Sequence, residues 1–225
     1  MIGSVKITIK RSTRKTTSIY IERDGSLSVF VPNKTTKKEV DALLEANEYK
    51  IYKYQAKRAL LNERAIKREA VNGQSYLYLG RNYYLQYSSD VDKVECKGRY
   101  FYVPDGMPKK LTILLKEFYK RHGKRYIPQR VKKYAPMLGQ QINDISVREL
   151  RNRWASCSVN KSKVNFHWKI MMAPVSIIDY LIVHELTHLK FPRHNSNFWN
   201  AVDKILPNYQ KQIAWLKEYG ASLEI

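Results

Sequence analysis

The segment Val183–His194 constrains the fold of this 225-residue chain more than any other stretch. Its sequence is V-H-E-L-T-H-L-K-F-P-R-H. His184 and His188 are four residues apart, so on an α-helix they lie on the same face, one turn apart. The residues from Ile177 to Leu189 are otherwise apolar nearly all round, which is typical of a helix buried in a core. The sequence therefore predicts a buried helix that presents two imidazoles to one site.

Two imidazoles at this spacing can bind one Zn²⁺ ion, and Glu185 follows the first of them, as in the H-E-x-x-H motif. His194 stands six residues after the second histidine, which is the spacing of the third ligand in metzincins. Metzincins place a glycine in the connecting turn, where this chain has Phe191. Pro192 should end the helix, so the chain can turn back towards the ion. We therefore predict one Zn²⁺ per chain, bound by His184, His188 and His194.

The alternatives to a catalytic metal site are a structural zinc and a set of ordinary polar histidines. A structural zinc normally has four protein ligands, often cysteines, whereas only three histidines converge here, and Cys96 and Cys157 are far apart in the sequence. Ordinary histidines are disfavoured because burying unpaired polar groups on an apolar helix is costly. The pattern favours a site in which a bound zinc ion activates water and Glu185 is the general base.

Charge is the second feature that bears on function. The net charge is +21, and the densest positive stretch is residues 109–133. Such charge attracts nucleic acid, anionic surfaces or acidic proteins, although a solubilising helix face explains it equally well. The candidate nucleic-acid patch comprises Lys120, Arg121, Lys124, Arg125, Arg130, Lys132 and Lys133. DNA or another polyanion is therefore a candidate partner.

Composition excludes several other classes of protein. Hydrophobic residues make up 44% of the chain, which excludes a mainly disordered polypeptide. No apolar run approaches the about 20 residues needed to cross a bilayer, and residues 1–21 lack the apolar core of a secretory signal. Two distant cysteines cannot form a disulfide framework. A cytoplasmic protein with no membrane partner is the simplest expectation.

The first half of the chain predicts a β-rich region that is interrupted by helix. Alternating runs predict strands at residues 5–9, 18–21 and 27–31, with Asp24–Gly25 as a turn. Thr36 and Glu39 have the spacing of a capping box, which begins one long helix or two shorter ones that extend to residue 72. Residues 76–87 and 94–103 predict hairpins that turn at 80–82 and 97–98. A junction rich in proline and glycine near residue 105 suggests domains at 1–105 and 106–225, or one continuous domain.

The second half predicts helices around a short sheet. The basic stretch 109–133 should be helical, and bent or restarted at Pro128. Residues 142–150 and 153–158 predict strands, and residues 164–170 predict a strand with Asn165, His167 and Lys169 on its exposed face. This face could bind an extended peptide by strand addition. After the histidine helix, Ser196 should cap a further helix, and a last helix should begin at Pro207.

Contacts to the substrate or to the oxyanion are expected from three candidates, between which the sequence does not choose: His167, Arg153 and Arg193. His167 is equally well explained as a solvated residue of its strand.

With these residues in view, the sequence resembles the YgjP-like metallopeptidases, which are related in sequence to the WLM and SprT-like proteases. The C-terminal half carries most of the resemblance. Its matching motifs are R153-W-A-S-C-S158, V164-N-F-H-W-K-I170 with M-M-A-Pro174, I178-D-Y-L-I-V-H-E-L-T-H-L189, His194, Phe198, Trp199 and Pro207-Asn208-Tyr209. In the N-terminal half, K10-R-S-T-R-K-T-T17, D24-G25 and Y78-L-G80 also fit. Ala155 stands where the family usually has glycine, and Asn195 where it usually has serine. Neither change removes a ligand or the base.

The resemblance implies an α+β fold with a zincin-like metallopeptidase core, the H-E-x-x-H active-site helix, a small antiparallel sheet and a β-rich N-terminal part. It also implies His184, His188 and His194 as zinc ligands and Glu185 as general base. Some WLM and SprT-like relatives act on proteins bound to DNA. The sequence therefore predicts a zinc-dependent peptidase that hydrolyses peptides or proteins, with DNA-associated proteins as candidate targets. The alternative is a nucleic-acid-binding accessory protein whose zinc is mainly structural.

Overall fold

A computed structural model describes residues 6–22, 26–63, 68–150 and 153–225 of the chain. The chain divides into two compact units, Met1–Ala65 and Ile66–Ile225. Both units mix short strands with helices, so the predicted α+β class is confirmed at that level. No helix within the described ranges combines the length and the apolar character needed to cross a bilayer.

The first unit is a three-stranded sheet followed by two helices. Its elements are β1 (Ile7–Ser12), β2 (Ser18–Ile21), β3 (Leu27–Pro32), α1 (Lys37–Ala46) and α2 (Glu48–Glu63). The central strand β3 pairs parallel with β1 and antiparallel with β2. The predicted turn at Asp24–Gly25 lies outside the described residues. The core of this unit consists of Leu27, Val29, Val31, Val40, Leu44 and Ile51.

The predicted capping box is present at the start of α1. The Thr36 hydroxyl accepts a hydrogen bond from the Glu39 backbone N–H at 3.3 Å, and the Glu39 carboxylate accepts one from the Thr36 backbone N–H at 2.6 Å. These two bonds satisfy backbone donors that the first helical turn leaves without partners. The helical stretch is interrupted at Asn47, which confirms the predicted arrangement of two helices rather than one. The prediction that the helix extends to residue 72 was wrong, because residues 68–72 are not helical.

The described residues of the second unit form two mixed sheets and four α-helices. Its elements are β4 (Ser75–Tyr78), β5 (Arg81–Ser88), β6 (Glu95–Lys97), β7 (Tyr100–Pro104), α3 (Leu111–Tyr134), β8 (Asp144–Arg148), β9 (Ala155–Ser158), β10 (Lys163–His167), α4 (Val175–His188), α5 (Ser196–Ile205) and α6 (Gln210–Tyr219). The four-stranded sheet has the order β4-β5-β7-β6, and the three-stranded sheet has the order β8-β10-β9. Each contains one parallel pair, so the sheet predicted to be antiparallel is in fact mixed.

The boundary predicted at residue 105 lies inside the second unit, between β7 and α3. Phe101 of β7 packs against Phe118 of α3 with ring centroids 5.0 Å apart, and both side chains are fully buried. One continuous hydrophobic core extends from the hairpin strands through α3 to α4. The proline- and glycine-rich junction is therefore a turn within a single core.

Helix α3 runs through Pro128 without interruption from Leu111 to Tyr134. The sequence predicted a bend or a restart there, because proline removes one intrahelical hydrogen bond. Ile127 and Val131, on either side of the proline, are buried in the core. Their burial offsets the cost of the missing bond, so tertiary packing overrides the local preference.

The prediction of an exposed face on the strand at 164–170 was wrong. Strand β10 is the central strand of its sheet, with β8 on one edge and β9 on the other, and the chain passes into a 3-10 helix at Trp168–Met172. Asn165, His167 and Lys169 are only 6%, 0% and 8% exposed. An alternating pattern indicates one buried face, but here the second face is covered as well.

A polar network around Glu149 stabilises the end of β8 against β10. The Glu149 carboxylate lies 3.0 Å from Nε2 of His167, accepts a bond from the Trp168 indole at 2.9 Å and pairs with the Lys116 ammonium at 2.6 Å. Burial alone would raise the pKa of Glu149, but these partners outweigh it and hold the pKa at about 2. The carboxylate therefore stays ionised in the folded protein well into the acid range.

We expect the Glu149→Gln substitution to lower stability near neutral pH but not in strong acid. The folded-state pKa of about 2 lies below the ordinary value of 4.5. The stabilisation is therefore present in full above pH 4.5 and is lost as the pH falls through about 2. Thermal unfolding midpoints of wild type and variant, measured between about pH 2 and 7, should converge towards the acid end. Glu117→Gln, at an exposed site on α3, is the matched control. A difference that does not change with pH would contradict this assignment.

Candidate metal centre

Helix α4 places the paired histidines, and its packing explains why it forms. It runs from Val175 to His188 and most of its residues are buried, among them Ile178, Ile182 and Leu186. The buried hydroxyl of Thr187 is satisfied because it donates to the Val183 carbonyl at 2.7 Å. The predicted helix is thus confirmed to within one residue at its end.

The β4–β5 turn fixes the start of α4. Gly80 has a φ of +77°, and a Cβ added there would lie 2.7 Å from the Cα of Pro174. The backbone N–H groups of Leu79 and Gly80 donate to the carbonyls of Met171 and Met172 at 2.8 and 3.2 Å. A glycine is needed at residue 80 because both the backbone conformation and the close contact exclude a side chain.

The three predicted histidines converge. Nε2 of His184 lies 3.1 Å from Nε2 of His188 and 3.1 Å from Nε2 of His194. One nitrogen from each ring lies within 4.8 Å of the others. Two ligands of a tetrahedral zinc ion are about 3.3 Å apart, given Zn–N bonds of about 2.0–2.1 Å. The cluster therefore has the dimensions of a metal site.

A compact turn brings His194 back to the helix. The chain leaves α4 at His188, and the N–H groups of Lys190 and Phe191 both donate to the Thr187 carbonyl. The next helix, α5, is capped by Asn195, whose side chain accepts from the Phe198 N–H at 3.1 Å. The sequence predicts Ser196 as the cap of this helix, but the observed cap lies one residue earlier. Asparagine at 195 thus supports the loop directly after the third histidine.

Hydrogen bonds on the outer nitrogens orient two of the rings. Nδ1 of His184 lies 3.3 Å from the Tyr180 hydroxyl, and Nδ1 of His188 lies 3.3 Å from the Phe191 carbonyl. A carbonyl can only accept, so Nδ1 of His188 carries the proton and its Nε2 lone pair points into the cluster. Such partners of the outer nitrogen are characteristic of metal-binding histidines.

The electrostatics of the cluster favour the neutral form of two imidazoles, those of His184 and His188. Burial, together with the neighbouring His188 and His194, lowers the pKa of His184 to about 3. Burial is also the main cause that lowers the pKa of His188. Neutral imidazoles offer lone pairs to a metal without first losing a proton. Three imidazole nitrogens at this spacing suit zinc, so the residues present fit the predicted ion.

Glu185 directly follows His184 on α4 but is not a member of the three-histidine cluster. Its side chain is buried, at 7% exposure, and burial raises its pKa to about 7, against the opposing influence of Arg153. A carboxyl group with a pKa near neutrality is suited to accept and release a proton. A cation bound by the histidines would further favour the carboxylate form.

The other candidate residues differ in where they lie. His167 is fully buried, accepts a bond at Nδ1 from the Lys169 N–H and contacts Glu149 through Nε2, so neither ring nitrogen is left for a substrate. Arg153 is exposed and close enough to influence Glu185 electrostatically. Arg193 is exposed beside His194. Only the two arginines therefore remain as candidate contacts to a substrate.

The candidate nucleic-acid patch is only partly a surface feature. Arg130 donates through Nε to Asp179 at 2.7 Å, in a part-buried ion pair that holds α3 to α4, so it does not belong to a solvent-facing patch. Arg121 donates to the Val94 carbonyl. A shallow groove on α3 is nevertheless lined by Lys120, Arg121, Lys124 and Arg125 together with Glu117. Lys132 and Lys133 are exposed nearer the end of the helix.

Aromatic residues around the cluster were not predicted to have a role. Phe198 is fully buried, and its ring lies within 5.0 Å of all three imidazoles. Tyr180 stands four residues before His184, so helical spacing alone could have indicated its contact. Trp199 and Tyr209 come from other elements, and no local pattern links them to the histidines.

Three converging imidazoles beside a buried carboxyl group are the kind of site that metal-dependent hydrolases use. Comparison with known proteins agrees. A family model described as "YgjP-like, metallopeptidase domain" matches residues 15–219, and the chain belongs to this family. It is therefore a metallopeptidase-family protein, and the predicted resemblance is confirmed.

The chain was also compared with solved structures and with curated protein sequences. The solved structure of the metallopeptidase zymogen of Pyrococcus abyssi abylysin is 23% identical, with a TM-score of 0.36, and the alignment covers 39% of this chain and 86% of that chain. No curated protein sequence matches the chain significantly.

Proposed function

We propose that this protein is a zinc-dependent peptidase in which His184, His188 and His194 bind the ion and Glu185 is the general base. The convergence of three imidazole nitrogens next to a buried carboxyl group carries the proposal. The surrounding helix α4 belongs to the core, and no fourth histidine, cysteine or carboxylate joins the cluster among the described residues. Such a ligand set leaves a coordination position open for a reactant.

In the proposed reaction, Glu185 takes a proton from the attacking water and delivers it to the leaving amine. When bound, zinc supplies a Lewis acid that polarises the scissile carbonyl and acidifies water. The raised pKa of Glu185 suits both steps, because the carboxyl group can hold the proton between them. Arg153 is a candidate to stabilise negative charge on the substrate, since its charge acts on Glu185.

A substrate peptide would bind along β9. This strand pairs with β10 on one side, and no strand among the described residues pairs with its other edge. Burial is the main cause that raises the pKa of the Cys157 thiol in β9, and the nearby Glu185 adds to it, which supports a site for the peptide close to the proposed base. An extended peptide can add to such an edge through backbone hydrogen bonds. The edge of β9 thus replaces the face of β10 that the sequence suggested.

The test of the proposed function is metal loading followed by a proteolysis screen. Purified protein loaded with zinc should hold about one ion per chain and should cleave members of a peptide library. Chelation should abolish cleavage, and added zinc should restore it, without loss of the far-UV circular dichroism signal. A chain that binds no divalent metal after loading would contradict the proposal.

The same experiment addresses the alternative, an accessory protein with a mainly structural zinc. That protein would unfold on chelation, because the binding free energy of a structural zinc is folding free energy. Both cysteines are free thiols, which suits the proposed cytoplasmic setting. Neither cysteine belongs to the three-histidine cluster.

The exposed cations of α3 favour a second element of the proposal, binding of DNA. Lys124 and Arg125 are exposed in the α3 groove. If they contact phosphates, Lys124→Glu combined with Arg125→Glu should weaken binding of a fluorescent DNA duplex and reduce the slope of log affinity against log salt by about 2. The matched control is Lys109→Glu with Lys110→Glu, the same charge change at the start of the helix. Equal effects of both pairs would indicate net charge rather than a site.

A further inference from the structure

A stack of four rings includes one histidine of the three-histidine cluster, and we call this stack the aromatic column. Its members, in spatial order, are His194, Trp199, Tyr209 and Tyr180. His194 and Trp199 are stacked with centroids 5.4 Å apart and planes at 20°, and Trp199 and Tyr209 at 5.0 Å and 7°. Tyr209 and Tyr180 are parallel within 6° at 6.5 Å. The first three rings are stacked in succession, and the fourth is parallel to the third at a longer distance.

The column is assembled from separate elements of the C-terminal region. Tyr180 belongs to α4 and Trp199 to α5, while Tyr209 follows α5 at the point where α6 begins. Its carbonyl accepts from the Ile213 N–H at 3.1 Å in the first turn of α6. The preceding Asn208 has a φ of +65°, a left-handed conformation that asparagine adopts more readily than most residues. Tyr209 therefore lies at the start of α6, on the side where its ring stacks on Trp199.

Both ends of the column support a proposed zinc ligand. At one end the Tyr180 hydroxyl is 3.3 Å from Nδ1 of His184. At the other end Trp199 covers the ring of His194, which is exposed and lies on a loop. A loop side chain loses conformational freedom when it binds a metal, so a contact that orders it beforehand should raise the affinity. The ring of Tyr209 lies between these two supports, since it is stacked on Trp199 and parallel to Tyr180.

We propose that Tyr209 is a positioning residue that joins the supports of His184 and His194 through ring stacking. The inference rests on the proposed function, since it treats the histidines as zinc ligands. Tyr209 is stacked on Trp199 and is parallel to Tyr180, and it acts on the two histidines through these two rings. Loss of a partner that orients a metal ligand typically costs about 10–100-fold in metal affinity. Removal of the central ring should cost a similar factor.

The experiment compares three single variants of the full-length protein. Tyr209→Leu removes the ring, Tyr209→Phe keeps it, and Tyr219→Leu removes an exposed tyrosine elsewhere on α6. Zinc dissociation constants are measured by competition with a chromogenic chelator, and unfolding midpoints are measured on metal-free protein. We expect Tyr209→Leu to bind zinc about 10–100-fold more weakly, and Tyr209→Phe and Tyr219→Leu to bind it like the wild type.

A double-mutant cycle separates positioning from a general loss of stability. If Trp199 and Tyr209 support His194 as one unit, Trp199→Leu combined with Tyr209→Leu should weaken zinc binding by less than the product of the two single effects. This result is expected even if Tyr209→Leu lowers the metal-free unfolding midpoint.

Three results would overturn the inference while leaving the proposed function intact. They are wild-type affinity in Tyr209→Leu, an affinity in Tyr209→Phe as weak as in Tyr209→Leu, and independent effects in the double-mutant cycle. A wild-type protein that binds no zinc would instead contradict the proposed function, and the inference with it.

Discussion

The Glu185→Gln variant should lose peptide hydrolysis by about 10²–10⁴-fold while still binding about one zinc ion per chain. Glutamine has nearly the same shape as glutamate, so the buried side chain keeps its packing, but it cannot take a proton from water. The structure supports a loss of hydrolysis without a loss of zinc, because Glu185 lies outside the three-histidine cluster. The measurement is kcat/KM on a peptide identified in the library screen, together with bound zinc per chain.

A matched control is available on α6. Glu218→Gln makes the same chemical change at an exposed position and should leave both quantities unchanged. Undiminished hydrolysis by Glu185→Gln would show that another group is the base. Loss of zinc together with activity would show that the carboxyl group of Glu185 is needed to hold the ion, which the cluster geometry does not predict.

The His184→Ala variant should lose zinc and activity together. His184 is the central histidine of the cluster, because its Nε2 lies 3.1 Å from the corresponding nitrogen of each of the other two. Removal of a direct ligand should cost more affinity than the about 100-fold that can follow from loss of an orienting partner. Chelator competition and hydrolysis rates provide the measurements.

The control for His184→Ala is a histidine outside the cluster. His122 is stacked on Phe118 of α3, with ring centroids 4.0 Å apart. His122→Ala removes an imidazole and some packing but no ligand, so zinc binding should be retained. Equal loss of zinc in both variants would mean that the effect comes from unfolding, and full zinc content in His184→Ala would exclude His184 as a ligand.

The sequence predicted the centre of the site well, because its determinants are local. The spacing of His184 and His188 requires only a helix, and the apolar residues around them make that helix part of a core. The capping box at Thr36 and Glu39 could also be predicted from the sequence, since both partners lie within one helical turn. His194 followed from the spacing and from the proline that precedes it.

The features that the sequence did not predict depend on distant contacts. Arg130 looked like one cation among many, but its partner Asp179 lies 49 residues later in the chain. The strand at 164–170 shows one apolar face, and only the tertiary arrangement reveals that its polar face is covered as well. The aromatic column likewise joins α4 and α5 to the start of α6, so no local pattern could have indicated it.

The contact of Gly80 with Pro174 also bears on how the peptidase region could be isolated. The tip of the β4–β5 hairpin lies against the residue that precedes α4, and Phe101 fills the core beside Phe118. A fragment cut at the proline-rich junction would contain every proposed ligand and the base. It would nevertheless leave a large apolar surface of α3 open to water and the first turn of the histidine helix without its support. The hairpins upstream of residue 105 therefore belong to the same hydrophobic core as the helix that carries the histidines, and removing them should destabilise that helix.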